Sequence, residues 1–320
     1  MASAPQVVRR TQTAPRLELR IASLLSSATE IVYELGLEDH LVAISHECDW
    51  PPEALRLPRL SRARFDPTGL TSGEIDAEVR RCMLEYGSVY EVDTRALAEA
   101  RPDLVLTQAV CEVCAVPTAS VHEAVAGLAH PPQVLSLDAH TLEEIIASVA
   151  DVAEAAGEPG IGAAAVARLR ARVGRVREAV AGRGEPDVLA LEWLDPPFAP
   201  GHWIPEMIEI AGGRNLIGTA GGHSVEIPWS EVEGRDPDRL LLVPCGYALD
   251  QARDDAARAR ARLLALAPRS VETGGAAIGH SAYFSRSGPR VVDGIEALAA
   301  WLHPGALPAD ATDGILERWR

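Results

Sequence analysis

The sequence has no hydrophobic run long enough for a membrane span and no excess of positive charge. None of its apolar stretches approaches the roughly 20 residues that cross a bilayer as a helix. Its 46 acidic residues outnumber its 30 basic ones, which gives a net charge of −16 and a pI near 5.0. Nucleic acids and anionic membranes select basic surfaces, so the sequence predicts that neither is the main partner.

No export signal is recognisable at the start of the sequence. Residues 1–20 are rich in Ala, Pro, Arg and Thr, and no apolar core of about 7–15 residues follows Arg9 and Arg10. We therefore expect residues 1–17 to form a disordered tail and the protein to be cytoplasmic. Thiols stay reduced in that compartment, so closely spaced cysteines favour metal or redox chemistry over disulfide formation.

Catalytic signatures are scarce as well. The sequence contains no serine elbow, no His-Glu-x-x-His motif and no convincing pair of carboxylates. Asp138 and His140 are placed to orient one another, but nothing nearby supplies a nucleophile. The sequence predicts a binding protein and not an enzyme, and the only basis for a redox enzyme is a pair of cysteines.

What the sequence does contain is an alternation of short apolar runs with helical patterns, typical of parallel sheets covered on both faces. The alternation stops for about forty-five residues after the first half, where two helical stripes follow each other and Pro159 is well placed to open the second. The predicted fold is α/β, with two Rossmann-like lobes joined by a long rigid backbone helix. The predicted units are a first lobe over 18–138, connecting helices over 139–182, a second lobe over 183–305 and a tail over 306–320.

Four of the five cysteines follow predicted strands, and ligands of open α/β sheets bind outside the carboxyl ends of the strands. They are Cys48, Cys111, Cys114 and Cys245. Together with His46 they predict a metal site, either on the metal of a bound cofactor or as an iron–sulfur cluster or zinc ion. Two alternatives stay open: the cysteines line a cofactor without ligating it, or they are small buried residues that pack under loops.

Several short motifs resemble a known family in their order and spacing. They are residues 21–30 (IASLLSSATE), 49–52 (DWPP), 101–105 (RPDLV), 211–213 (AGG) and 227–229 (IPW). Over residues 18–303 the chain resembles the class III substrate-binding proteins of ABC importers, which carry vitamin B12, haem and iron–siderophores. The cobalamin-binding branch is the most similar. The missing export signal, an insertion between Phe65 and Tyr90 and the extra cysteines look like the cytosolic members of that branch.

The resemblance implies that the ligand is a small metal-containing molecule, most simply cobalamin or another corrinoid, in the cleft between the lobes. Trp50 and Trp229 stand where the family presses aromatic rings against the flat ligand, and Trp203 is a third candidate. Further cleft candidates are His202 and His223 in glycine-rich loops, and the wall formed by Tyr283, Phe284 and Arg286. In this family, carboxylates at the tips of the lobes pair with arginines of the transporter. A cytoplasmic member could meet only cytosolic protein partners.

Overall fold

The computed structural model describes residues 19–108, 116 and 118–320. The strands of the first half are β1 (Ile21–Ser23), β2 (Leu41–Ala43), β3 (Ser61–Ala63), β4 (Tyr90–Val92), β5 (Leu104–Thr107) and β6 (Gln133–Ser136). Those of the second half are β7 (Asp187–Leu191), β8 (Trp193–Leu194), β9 (Pro197–Ala199), β10 (Arg214–Asn215), β11 (Val225–Glu226), β12 (Arg239–Leu242), β13 (Ala276–Gly279) and β14 (Leu316–Arg318).

Helices cover these strands. The helices of the first half and of the connection are α1 (Ser26–Glu34), α2 (Ser72–Tyr86), α3 (Thr94–Ala100), α4 (Thr118–Ala126), α5 (Leu142–Ala155) and α6 (Pro159–Val180). The helices of the second half are α7 (Ile204–Ile210), α8 (Leu249–Arg258), α9 (Arg260–Leu266), α10 (Pro268–Glu272), α11 (Ser281–Phe284) and α12 (Val291–Leu302). Among the described residues, no helix is long and apolar enough to cross a membrane.

Two main sheets confirm the predicted α/β fold with two lobes. The first sheet has the order β2-β1-β5-β6 and its strands are parallel. The second has the order β10-β7-β12-β13-β14, in which only the pairing of β13 with β14 is antiparallel. A small antiparallel sheet, β11-β9-β8, lies beside the second one, and β3 pairs with β4 as a separate two-stranded antiparallel sheet.

The connection between the lobes is a packed helix pair. A capping box at Thr141 and Glu144 starts α5, and Pro159 in the first turn starts α6. The 22 residues of α6 span about 33 Å at 1.5 Å per residue. One apolar core includes Ile21 of the first sheet, Val173 of α6 and Ile295 of α12. Because this core is continuous through the connection, α6 is a rigid support for both lobes.

Two segments differ from the sequence prediction. Residues 306–320, predicted as a tail, contain β14, whose antiparallel pairing with β13 extends the second sheet. The sequence pattern of residues 250–266 predicts one long helix, but the structure has two, α8 and α9, which meet at Ala259. Ala256 of α8 and Leu263 of α9 both lie in the core of the second lobe.

The insertion between Phe65 and Tyr90 crosses from the first lobe to the second. Its helix α2 places Ile75 in the core of the second lobe, with Phe65 and Val79 packed against that core. Ser72 Oγ donates a hydrogen bond of 2.8 Å to Asp255 Oδ1 in α8. The two-stranded sheet of β3 and β4, which flanks the insertion, stays with the first lobe, since Leu60 belongs to that lobe's core. The insertion therefore acts as a strap that ties the two lobes together on one side.

Candidate ligand-binding site at the junction of the lobes

Four charged side chains meet where the lobes face each other, and we call them the interlobe ion cluster. The first lobe supplies Glu30 from α1 and Asp49 from the loop after β2, and the second supplies Arg286 and Arg290 from the segment before α12. The guanidinium of Arg286 donates to both carboxylate oxygens of Asp49, at 2.5 and 2.8 Å. It lies 3.5 Å from Glu30 Oε1, which also accepts a hydrogen bond from Arg290 Nη2. The cluster joins the two lobes directly.

Burial and charge oppose each other at these carboxyl groups. Burial raises the pKa of Glu30 above its ordinary value, although Arg290 and Arg286 both act to lower it. At Asp49, burial would also raise the pKa, but the hydrogen bonds and charge of Arg286 bring it below the ordinary value. The negative charges of Asp49 and Glu30 in turn raise the pKa of Arg286 against the effect of its own burial. The pairing of Asp49 with Arg286 is therefore maintained at neutral pH.

We expect the substitution Asp49→Asn to reduce the loss of stability on acidification. A carboxyl group with a depressed pKa in the folded protein stabilises it above the unfolded-state pKa, near 3.9, and loses this contribution as the pH falls through the folded-state value. Urea unfolding of wild type and variant from neutral pH to about pH 3 measures the effect. The difference between their free energies of unfolding should become smaller in acid. Asp39→Asn, outside the cluster, is the control. A gap that stays constant with pH contradicts the prediction.

A groove beside the ion cluster has an exposed aromatic wall. Its volume is about 360 Å³, and α6 contributes Arg172 to its lining. Trp50 is 42% exposed, and the guanidinium of Arg290 lies 4.9 Å from the centre of its ring and 5.0 Å from that of Tyr283. The lining residues are Glu30, Tyr33, Glu34, Trp50, Pro51, Arg172, Tyr283, Pro289, Arg290 and Asp293. Both lobes and the connecting helix thus contribute to one concave surface.

A second hollow, of about 450 Å³, lies at the other edge of the second sheet. It is lined by Glu185, Asp238 and Arg239 among others, near the amino ends of β7 and β12. Ligands of parallel sheets bind at the carboxyl ends of the strands, and this hollow has no contribution from the first lobe. We therefore take the groove at Trp50 as the candidate site.

The structure places the predicted aromatic residues in three different environments. Trp50 and Tyr283 line the groove, and Arg286 adjoins it through the ion cluster. Trp229 is half-buried beneath Arg262, whose guanidinium is 4.9 Å from the ring centre.

Trp203 and Phe284 do not form a cleft wall. Trp203 is 7% exposed and Phe284 is fully buried, and both belong to the continuous core. The indole Nε1 of Trp203 donates a hydrogen bond of 2.7 Å to the carbonyl oxygen of Phe284. These two rings therefore position the segment that carries Tyr283 and Arg286, and they do not offer a face to a ligand.

The structure gives no support to the predicted cysteine cluster. Cys48 is 1% exposed in the apolar core, where its Sγ lies 3.1 Å from Thr29 Oγ1. Burial raises the pKa of this thiol to about 11, so the free thiol is protonated at neutral pH. Cys245 is half-buried after β12. Cys111 and Cys114 lie outside the described residues.

His46 is occupied by neighbours of its own lobe. Its Nδ1 lies 2.8 Å from Ser61 Oγ, its Nε2 lies 3.1 Å from Glu47 Oε1, and its ring is tilted against Tyr90. Over the described part of the chain, no group of three potential metal ligands includes His46, Cys48 or Cys245. The described residues therefore give no support to metal chemistry at His46, Cys48 and Cys245, because strand-end position in the sequence does not fix the direction of a side chain. A site that includes Cys111 or Cys114 stays a prediction.

Three other histidines do come together, and we call them the histidine triad. One potential ligand atom from each of His140, His202 and His223 lies within 4.8 Å of those of the other two. His140 follows β6 of the first sheet, and the other two flank the small sheet of the second lobe. The glycine-rich sequence around His202 and His223 predicted that both face the cleft, but no sequence pattern indicated His140 as their companion.

The fold and the groove between its lobes define a two-lobed solute-binding protein. A family profile described as "Periplasmic binding protein" matches residues 21–264, and the chain belongs to this family. The vitamin B12-binding protein of Vibrio cholerae is 25% identical over 217 residues, which cover 67% of this chain and 64% of that protein. The chain thus matches a little under two thirds of the length of this curated relative.

Solved structures agree with the fold. The periplasmic vitamin B12-binding protein of V. cholerae is similar with a TM-score of 0.64 at 21% identity, covering 92% of this chain and 98% of that one. A periplasmic haem-binding protein from Pseudomonas aeruginosa is similar with a TM-score of 0.69 at 20% identity, covering 95% and 99%. The family and these relatives are binding proteins, which confirms the prediction of a protein without enzymatic activity.

The comparisons correct the predicted location. Cytoplasmic localisation and a cytosolic protein partner were predicted from the composition of residues 1–20, and the cytosolic branch was predicted also from the insertion between Phe65 and Tyr90 and the extra cysteines. The matching family and the solved relatives are periplasmic binding proteins, and this finding contradicts a cytoplasmic assignment. The iron–sulfur and zinc alternatives on cysteine likewise find no counterpart among relatives that are named for vitamin B12 or haem.

Proposed function

We propose that this protein binds a flat metal-containing macrocycle, most simply cobalamin or a related corrinoid, between its two lobes and hands it to an importer. The observation that carries the proposal is the exposed ring of Trp50 in a groove to which both lobes contribute. A broad, partly apolar ligand gains most from rigid aromatic surfaces that lose little rotamer freedom on binding. The relative named for vitamin B12 supports a corrinoid over other ligands of this chemistry.

The groove and the ion cluster suggest how the ligand enters. A volume of about 360 Å³ is at the lower end of the roughly 300–1,000 Å³ typical of ligand pockets, so a macrocycle requires the lobes to move apart. Separation breaks the contacts of Arg286 with Asp49 and Glu30 and frees charged groups from both lobes. Arg286 and Arg290 are then available to the polar substituents of a macrocycle, since guanidinium groups bind amide and carboxylate oxygens through several donors.

We expect Trp50→Ala to weaken corrinoid binding by about 30-fold, the effect of losing an interface residue worth roughly 2 kcal/mol. Stability should change little, because Trp50 is 42% exposed. The test is a titration of the purified protein with hydroxocobalamin, followed by the corrin absorption bands and by co-elution in gel filtration. Leu55→Ala is the matched control, since Leu55 is equally exposed at 42% on the adjacent turn.

Haem, in the same titration, provides the second arm of the experiment. Retention of hydroxocobalamin with loss in Trp50→Ala and not in Leu55→Ala supports the proposal. Retention of haem alone would support a macrocycle as the ligand but would contradict a corrinoid. If neither ligand changes its spectrum or co-elutes with the protein, the proposed ligand class is wrong.

A further inference from the structure

We propose that the histidine triad, His140, His202 and His223, binds one divalent transition-metal ion of the Zn²⁺ type at the junction of the lobes. None of these residues belongs to the interlobe ion cluster or lines the groove at Trp50. The site therefore does not depend on the proposed macrocycle function and goes beyond it.

The geometry of the triad suits a single ion. The ring centres are 5.4 Å apart for His140 and His202, 5.6 Å for His140 and His223, and 5.4 Å for His202 and His223. Potential ligand nitrogens lie within 4.8 Å of one another. Nitrogen ligands at about 2.0–2.1 Å from a tetrahedral zinc ion are about 3.4 Å from one another. Side-chain rotations that move the ring nitrogens by a little over an ångström therefore bring all three within reach of one ion.

The chemistry of the donor set points to a borderline metal. Imidazole nitrogens suit zinc, cobalt, nickel and copper, whereas calcium and magnesium require oxygen ligands. His202 is half-buried beside the rings of His140 and His223. Its Nδ1 is sealed from solvent and has no hydrogen-bond partner among the described residues, and a metal ion would satisfy it.

The backbone holds His202 in place by unusual means. Its φ angle is +50°, in the left-handed region that costs a residue with a side chain about 1–3 kcal/mol. Two backbone hydrogen bonds maintain it: His202 N donates to Gly222 O at 2.5 Å, and Gly221 N donates to His202 O at 2.8 Å. Left-handed residues of this kind concentrate at functional sites, and this one brings the loop of His223 against His202.

His140 is positioned from the other lobe. Its backbone N–H donates a hydrogen bond of 2.8 Å to Glu144 Oε2, the carboxylate that caps α5. One residue on, the methyl carbon of Thr141 approaches the loop of the second lobe at Gly221. Leu142 N then donates a hydrogen bond of 2.9 Å to Glu206 Oε2 in α7. The third ligand is thus fixed relative to the other two by contacts that cross between the lobes.

Three histidines leave a fourth coordination position. His140 and His202 are half-buried and His223 is exposed, so an ion can reach the site and retain a water molecule or another ligand there. Because the ligands come from both sides of the junction, a bound ion adds a cross-link between the lobes. At a concentration 100 times the Kd, Zn²⁺ should raise the Tm by about 5 °C.

The test uses the full chain after removal of metals with a chelator, and metal ions alone as probes. Co²⁺ should bind one ion per chain and show the intensified visible bands of four-coordinate cobalt, and Zn²⁺ should abolish them by displacement. The substitutions His140→Ala and His223→Ala should each weaken Co²⁺ binding by more than about tenfold. Mutations of residues that only support the metal ligands already cause a loss of that size. His130→Ala, at another exposed histidine, is the control and should bind as the wild type does.

Circular dichroism verifies that each variant is folded, and His223→Ala is decisive because an exposed residue can be removed without damage to the core. The proposal is overturned if Co²⁺ shows only six-coordinate spectra. It is also overturned if the double variant His140→Ala/His223→Ala still binds one ion, or if His130→Ala loses binding to the same extent. None of these readouts uses the macrocycle, so this proposal and the proposed function fail or succeed separately.

Discussion

Replacing Phe284 with alanine is expected to lower the free energy of unfolding by about 3–5 kcal/mol, the usual cost of removing a large aromatic side chain from a core. Phe284 is fully buried, and its ring closes the space above Gly279 of β13. The removed ring leaves a cavity that the surrounding strands and α12 cannot fill, because the continuous core also includes the connecting helix. Denaturant unfolding followed by tryptophan fluorescence measures the loss.

The same substitution separates packing from ligand contact. If Phe284 formed a wall of the ligand cleft, Phe284→Ala would weaken ligand binding and leave the stability of the protein nearly unchanged. The structure predicts the reverse, a large loss of stability. Phe284→Leu, which refills much of the volume, should recover most of the stability and is the matched control. A change of less than about 1 kcal/mol in Phe284→Ala would show that the ring is not part of the core.

The sequence predicted the parts of this fold that depend on local pattern. The stripes of Ile145 and Val149 in α5 and of Val166 and Leu169 in α6, with Pro159 between them, contain enough periodicity to locate the connecting helices. The short strand β14 carries no such pattern. It is a strand only because β13 offers it an edge, and that pairing joins residues about forty positions apart.

The candidate site depends on contacts that no local pattern reveals. Glu30 and Arg290 are 260 residues apart, and each resembles an ordinary surface charge when read in sequence. The position of Cys48 after β2 was read correctly, but its side chain turns into the core toward Thr29. His140, from the other lobe, completes a set of which the sequence exposed only two members. Position along a strand was predictable, whereas side-chain direction and partners across the lobes were not.

Replacing Gly218 with alanine is the second change for which we expect a large effect. The φ angle of Gly218 is +84°, and a Cβ there would lie 2.0 Å from the carbonyl oxygen of Pro200. A left-handed residue costs roughly 1–2 kcal/mol for its backbone conformation alone. A collision with a backbone atom adds to this cost because a main-chain carbonyl cannot rotate away as a flexible side chain does.

Two other glycines separate these two costs. Gly246 has a φ of +76° with nothing within 4 Å of a Cβ, so Gly246→Ala should lose only the conformational part. Gly174, inside α6 and also with open space around a Cβ, should gain roughly 0.5–1 kcal/mol when replaced by alanine. The expected order of stability is Gly174→Ala above wild type, then Gly246→Ala, and Gly218→Ala lowest by more than about 3 kcal/mol.

The collision at Gly218 also has a functional consequence that the other two variants lack. Pro200 immediately precedes Gly201, where a Cβ would lie 2.3 Å from Ser224 N, so the segments that carry His202 and His223 touch through their backbones. Displacing Pro200 therefore moves both histidines, and Gly218→Ala should weaken Co²⁺ binding while Gly246→Ala leaves it unchanged. Equal effects of the two variants on stability would mean that the close approach to Pro200 is absent in solution. Unchanged Co²⁺ binding in a destabilised Gly218→Ala would mean that the loop does not position the triad.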